Sequence, residues 1–178
     1  MRSRKRFIYI ATDWDHDKNA AEQLYKWREA KGWEWEFCDT HEMTQPREHA
    51  EPCMIKVAMK KRLLFCQIFV FIVGDHTDTA IHGECKTCDS YNSYLGSCKK
   101  NRFMDPRCHM KLECDLAVRA EKKIIVFYKS TSVDKTKCPP ELRDVGIHAA
   151  MVYKGQDNRK YWDYDAVNQV IVDCIDAR

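Results

Sequence analysis

The sequence predicts an α/β fold: a three-layer, flavodoxin-like sandwich around five mainly parallel strands. Three observations carry this expectation. Short apolar, β-rich runs alternate with segments of helical periodicity along the whole 178-residue chain. One of those runs, Gln67 to Val73, is apolar on both faces, as a central parallel strand must be when helices cover both sides of a sheet. The composition, 44% hydrophobic and 11% aromatic with six Gly and five Pro, excludes disordered, collagen-like and low-complexity chains. The length fits one domain over 1–178 with a core of its own.

Each element has its own signal. Phe7 to Ala11 is a strand that stops at the polar Thr12-Asp13-Trp14-Asp15. Ala20, Leu24 and Trp27 recur at i, i+4 and i+7 and predict a helix, with Gly32 at its end. Trp33 to Cys38 alternates as a strand does, and Asp39 to Pro52, polar and carrying Pro46 and Pro52, is a loop. Cys53 to Leu64 is a helix with Ile55, Ala58, Met59 and Arg62 on related faces, and Gln67 to Val73 is the central strand, ending at Gly74. Asp75 to Asp105 is polar and too long for an ordinary connection. Its cysteine-rich part, about 78–108, reads as an insertion. The pattern resumes with a helix from Pro106 to Glu121 and a strand from Lys123 to Tyr128. Ser130 to Asp144 is a loop, Ala149 to Tyr153 the last strand, and Asp165 to Asp176 a closing helix with Val167, Val170, Ile171 and Cys174 on one face. There is no internal repeat and no linker.

The charge, 30 basic against 27 acidic residues with the signs interspersed, lacks the basic clustering of a nucleic-acid binder. Arg2, Arg4, Lys5 and Arg6 precede an apolar run, but Phe7 to Ala11 is too short for a signal sequence. Ile68 to Val73, the longest apolar run, has strand length rather than membrane length. A soluble, cytoplasmic chain without membrane or nucleic-acid partners is expected, and in that setting its ten cysteines read as reduced thiols or metal ligands.

In such sheets ligands bind beyond the carboxyl ends of the strands, which singles out 12–17, 39–52 and 74–113. No Walker loop or G-x-G-x-x-G occurs, and Gly74-Asp75-His76-Thr77 lacks the glycines a phosphate loop needs. A bound nucleotide must therefore be held by side chains and ring stacking. Glu113 is in register with Leu116, Ala117 and Ala120, the inward stripe of its helix. It is either an acid suited to a helix start or a site carboxylate at the sheet edge. Asp13, Asp15 and Asp17 are helix-capping residues, or ligands for a ribose or a metal. Trp14 anchors the turn or stacks on a base. Cys85-x-x-Cys88 is half of a zinc site that Cys98 and Cys108 would complete, with His109 as a substitute ligand. The alternative is a set of scattered reduced thiols. Cys38, Cys53, Cys66 and Cys174 read as small buried apolar residues.

These segments, in this order, resemble the bacterial TIR-like domains, in particular the branch that includes the Thoeris anti-phage sensor proteins. Phe7 to Asp15 resembles their opening strand and first loop. Phe69 to Thr77 resembles their "V-x-x-I-G-x-x-T" strand and loop, and Lys111 to Val126 is similar to the "W-x-x-x-E-I-x-x-A-x-x-x-x-K-P-I-I" block. Cys138-Pro139-Pro140-Glu141-Leu142 looks like the "C-P-P-x-L" that follows the next strand. Two departures stand out: the run between Thr77 and Glu113 is longer and richer in cysteine, and His109-Met110 replaces an aromatic before the glutamate.

The resemblance implies a TIR-like domain that cleaves the nicotinamide–ribose bond of NAD, with Glu113 as the catalytic residue. It further implies NAD contacts from Thr12, Asp13, Trp14, Thr40, His41, Gly74 and Thr77, and self-association through 39–52, where Glu42, Met43 and Arg47 are displayed. The product would be an ADP-ribose-derived signalling nucleotide read by a downstream effector in anti-phage defence. Two alternatives stand beside it: a non-catalytic TIR-like interaction module, and another nucleoside-bond enzyme such as a deoxyribosyltransferase.

Overall fold

The apolar runs assemble into one parallel sheet. The computed structural model describes residues 6–39, 51–77, 85–100, 102, 105 and 107–177. In chain order they form β1 (Arg6–Ala11), α1 (Trp14–Lys31), β2 (Trp35–Cys38), α2 (Pro52–Phe65), β3 (Ile68–Val73), the short strands β4 (Tyr91–Asn92) and β5 (Ser97–Cys98), α3 (His109–Arg119), β6 (Lys123–Tyr128), β7 (Ile147–Ala150), β8 (Val152–Lys154), β9 (Lys160–Trp162) and α4 (Tyr164–Asp176). The main sheet runs β2-β1-β3-β6-β7, and every neighbouring pair is parallel. With the four helices it makes an α/β sandwich with the flavodoxin-like strand order.

Alternation along the strands divides the core in two. On one face Ile8, Ile10, Val70, Ile72, Ile125 and Phe127 pack under Leu24 and Trp27 of α1 and Val167 and Ile171 of α4. On the other, Tyr9, Ala11, Phe69, Phe71, Val73, Val126 and Tyr128 pack under Leu63 of α2 and Met110, Cys114 and Ala117 of α3. This explains why β3 is apolar at every position: all six of its residues are buried. Helix α1 is capped as its sequence dictates. Asp13 accepts from the Asp15 amide, and Gly32 closes the helix at φ 64°, a conformation that favours glycine.

The structure corrects several expectations. The last sheet strand is Ile147–Ala150, not 149–153; Val152–Lys154 leaves the sheet and pairs antiparallel with Lys160–Trp162. The fully buried Met151 makes the break, its amide donating to the Tyr128 carbonyl (2.8 Å) and its carbonyl accepting from the Asp163 amide (2.8 Å). Helix α3 begins at His109 rather than Pro106, which lies outside the described residues. The insertion contains the β4–β5 hairpin, too short to leave a periodic signal. Cys38 and Cys66, read as small apolar residues, face each other between the end of β2 and the end of α2, with Cα atoms 7.9 Å apart, wider than a disulfide spans. Among the described residues, no helix is long and apolar enough to cross a membrane.

Candidate functional site

The strand order reverses between β1 and β3, and the crevice beyond their carboxyl ends is where open α/β sheets bind ligands. Two loops border it. After β1, Thr12 and Asp13 are both buried. Asp13 spends one carboxylate oxygen on the Asp15 amide (3.1 Å) and places the other 2.8 Å from His16 Nδ1, so it caps α1. Trp14 packs against the α1–α4 face of the core, as a turn-anchoring aromatic does. After β3, the Gly74 amide donates to Thr77 Oγ1 (2.8 Å), which folds the loop inward. The His16 and His76 rings, 4.3 Å apart, bridge the two loops.

Gly74 is required by close approach. A Cβ there would lie 1.9 Å from Asp17 Oδ2. Asp17 is 2% exposed, and its other oxygen is held by Lys129 Nζ (3.0 Å), which also donates to the His16 carbonyl (3.0 Å). Two polar atoms here, Thr12 Oγ1 and Asp17 Oδ2, are buried without a hydrogen-bond partner among the described residues. Each such atom costs ~1–3 kcal/mol.

Glu113 sits in the second turn of α3, 4% exposed, on the face that packs on β1 and β3. Tyr9, a strand residue whose ring stacks on Phe69, sends its hydroxyl to Glu113 Oε1 at 2.5 Å. Burial pushes the Glu113 carboxyl up to about 8; the Tyr9 hydrogen bond pulls it back, and the negative charge of Asp39 adds to the rise. Asp39, buried just past β2, accepts from the Tyr25 hydroxyl, and its carbonyl accepts from Arg62. The result is a protonated carboxylic acid at neutral pH, ready to ionise beside a positive charge.

The other sequence-derived site residues divide. Gly74 and Thr77 are joined directly; Thr12 and Asp13 lie on the neighbouring loop; Trp14 serves the core. Thr40 and His41 lie outside the described residues, as do Glu42, Met43 and Arg47. Cys85, Cys88 and Cys98 line one cavity, but its fourth cysteine is Cys53, not Cys108. Cys108 instead precedes α3 and packs against the α2–α3 face of the core. Among the described residues, no three His, Cys, Asp or Glu side chains already stand around one point as metal ligands. Sequence reasoning missed Tyr9, which reads as one more core aromatic, and Lys129, whose only signal is a cation placed right after an apolar strand. It also left Cys53 among the apolar thiols.

No protein-family model matches this chain, and no curated protein matches it.

Proposed function

We propose that this chain is an NAD nucleosidase or ADP-ribosyl cyclase of the TIR-like type, with Glu113 as its catalytic carboxylate. The observation that carries the reading is the buried Glu113–Tyr9 pair, in a helix that packs on the two strands flanking the ligand crevice. The motif resemblance over 69–77 and 111–126 supplies the substrate class.

The chemistry suits such a group. In NAD the nicotinamide ring carries a positive charge. Bound beside Glu113, that charge would favour the ionised carboxylate and draw off its proton. Loss of neutral nicotinamide leaves an oxocarbenium-like ribosyl centre, which a nearby anion stabilises more than it stabilises the ground state. The leaving group departs uncharged, so no general acid is needed. The Tyr9 hydroxyl fixes the carboxylate's direction, and the low-dielectric surroundings strengthen its effect. Self-association through 39–52 would complete the enclosure, exclude water and favour cyclisation or conjugation over hydrolysis. A signalling nucleotide, passed to a separate effector in anti-phage defence, follows from that outcome.

One observation favours the non-catalytic module instead: Glu113 is closed in and already hydrogen-bonded, as a structural acid would be. Chromatography of NAD reactions decides between them. Nicotinamide release that falls at least ~100-fold in a folded Glu113→Gln variant supports catalysis. Equal release by both proteins removes Glu113 from the chemistry. Cleavage of nucleosides but not NAD points to the deoxyribosyltransferase alternative.

A further inference from the structure

We infer that Cys53, Cys85, Cys88 and Cys98 form a tetrathiolate site for one zinc ion, which pins the insertion to the start of α2. The four come from three separate segments, the first turn of α2, a tight turn at Cys85–Thr87 and the β4–β5 hairpin, yet all border one cavity of about 20 Å³. That is room for a single atom or ion. Ser90, Tyr91 and Arg102 also line it.

The backbone around the cluster has the form such a site needs. The Cys88 amide donates to the Cys85 carbonyl (3.2 Å) and the Tyr91 amide to the Cys88 carbonyl (2.8 Å), so the Cys-x-x-Cys segment turns back on itself. Cys98 returns along the hairpin opposite Tyr91, brought there by a turn with Gly96 at φ 57° and by the Lys99 amide donating to the Ser90 carbonyl (2.8 Å). Three cysteines separated by two and nine residues thus reach the same cavity.

Positive charge borders the cluster. Cys53 lies in the first turn of a 14-residue helix, where the unpaired amides favour an anion. Arg102 Nη1 donates to its sulfur at 3.3 Å. A zinc ion with four thiolates carries a net charge of about −2; Arg102 lines the cluster, and Lys86, Lys99 and Lys100 adjoin the cysteines in sequence. Glu51, at the N-terminus of α2, collects Ser90 Oγ (2.8 Å), Lys100 Nζ (2.6 Å) and Arg102. A turn further along α2, the buried Lys56 donates to the carbonyls of Asp105 (2.7 Å) and Arg107 (2.5 Å). The insertion is thus docked on α2 on both sides of the cluster.

Binding must draw the thiols inward. Cys85, now donating to the Asp105 carbonyl (3.0 Å), turns its sulfur toward the ion, and four thiols lose four protons as four metal–sulfur bonds form. No redox step is involved. The reading of Cys108 as the fourth ligand is replaced by Cys53, which sequence spacing does not connect to the others because the contact is made only by the fold.

The test is metal content by mass spectrometry on untagged protein purified under reductant, for wild type, Cys53→Ser and Cys108→Ser. Expected are about one zinc per chain in wild type and Cys108→Ser, and zinc retention against a chelator weaker by on the order of 100-fold in Cys53→Ser. Should Cys53→Ser fail to fold, titration of chelated wild type with cobalt(II) replaces it. Thiolate-to-cobalt charge-transfer absorption with a tetrahedral visible spectrum, saturating at one equivalent, supports the site. Wild type that takes up neither metal overturns it, as does a zinc content lost with Cys108 and kept without Cys53. Zinc content should be unaffected by Glu113→Gln, which keeps this result separate from the assignment of catalysis.

Discussion

Replacing Glu113 by Gln should change how stability depends on pH more than it changes stability at any one pH. The side chain keeps its shape, and its amide oxygen still accepts from Tyr9, but it no longer titrates. In the folded protein the carboxyl is raised from its ordinary 4.5 to about 8, chiefly by burial. A raised value means that folding favours the protonated form. The stabilisation from Glu113 is therefore full below about pH 4.5, declines as pH rises, and is lost once pH passes about 8. A rise from 4.5 to about 8, at about 1.4 kcal/mol per pH unit, corresponds to roughly 5 kcal/mol as an upper bound. Water entering around the ionised form reduces that to ~2–5 kcal/mol between about pH 5 and about pH 9. Urea unfolding followed by tryptophan fluorescence reads this directly, since Trp27, Trp33 and Trp35 lie in or against the core. Wild type should lose stability over this range relative to Glu113→Gln, and the gap should stop widening above about pH 8. Parallel curves for the two proteins would refute the reasoning, because they would show that Glu113 holds no extra proton in the folded state.

The same proton governs catalysis on the proposed reading: kcat/KM for NAD should rise through an acid limb near pH 8, and kcat should show that limb at lower pH, because bound cationic nicotinamide favours ionised Glu113. Tyr9→Phe removes the hydrogen bond that favours the charged carboxylate, so the limb in kcat/KM should move upward and unfolding should become easier by ~1–3 kcal/mol; an unmoved limb would place Tyr9 outside the site. Gly74→Ala puts a methyl group on the Asp17 carboxylate and must part it from Lys129, so the melting temperature should fall by an amount equivalent to ~3–5 kcal/mol. Specific activity should increase with protein concentration if 39–52 joins two copies, whereas a flat dilution series would mean that one chain holds a complete site.

How much of the site was legible depended on the kind of signal each residue left. Glu113 was legible because a carboxylate in register with Leu116, Ala117 and Ala120 breaks an apolar stripe. Gly74 and Thr77 were singled out by the resemblance of 69–77 to a TIR-like strand and loop, not by their own spacing. Tyr9 was not, since a tyrosine within Phe7 to Ala11 fits a strand core and its hydroxyl acquires meaning only 104 positions away at Glu113. Asp17 left the same signal as Asp13 and Asp15. Three aspartates after a strand look alike until one caps the helix and another is driven against Gly74 and Lys129.

The sequence by itself determined the class of fold and the places of the main elements. Strand and helix periodicities are local, and a run buried on both faces, such as Ile68–Val73, needs no distant information to declare itself. It also determined where helix α1 ends, because Gly32 is suited to the left-handed turn there. Only the tertiary structure decided what lies beside what. The β2-β1-β3 reversal sets the crevice, Val152 leaves the sheet after the buried Met151 to pair with Trp162, and Cys53 joins Cys85, Cys88 and Cys98 only because α2 packs beside the insertion. Contacts of that kind depend on packing between segments far apart in the chain, and spacing along a chain carries no record of them.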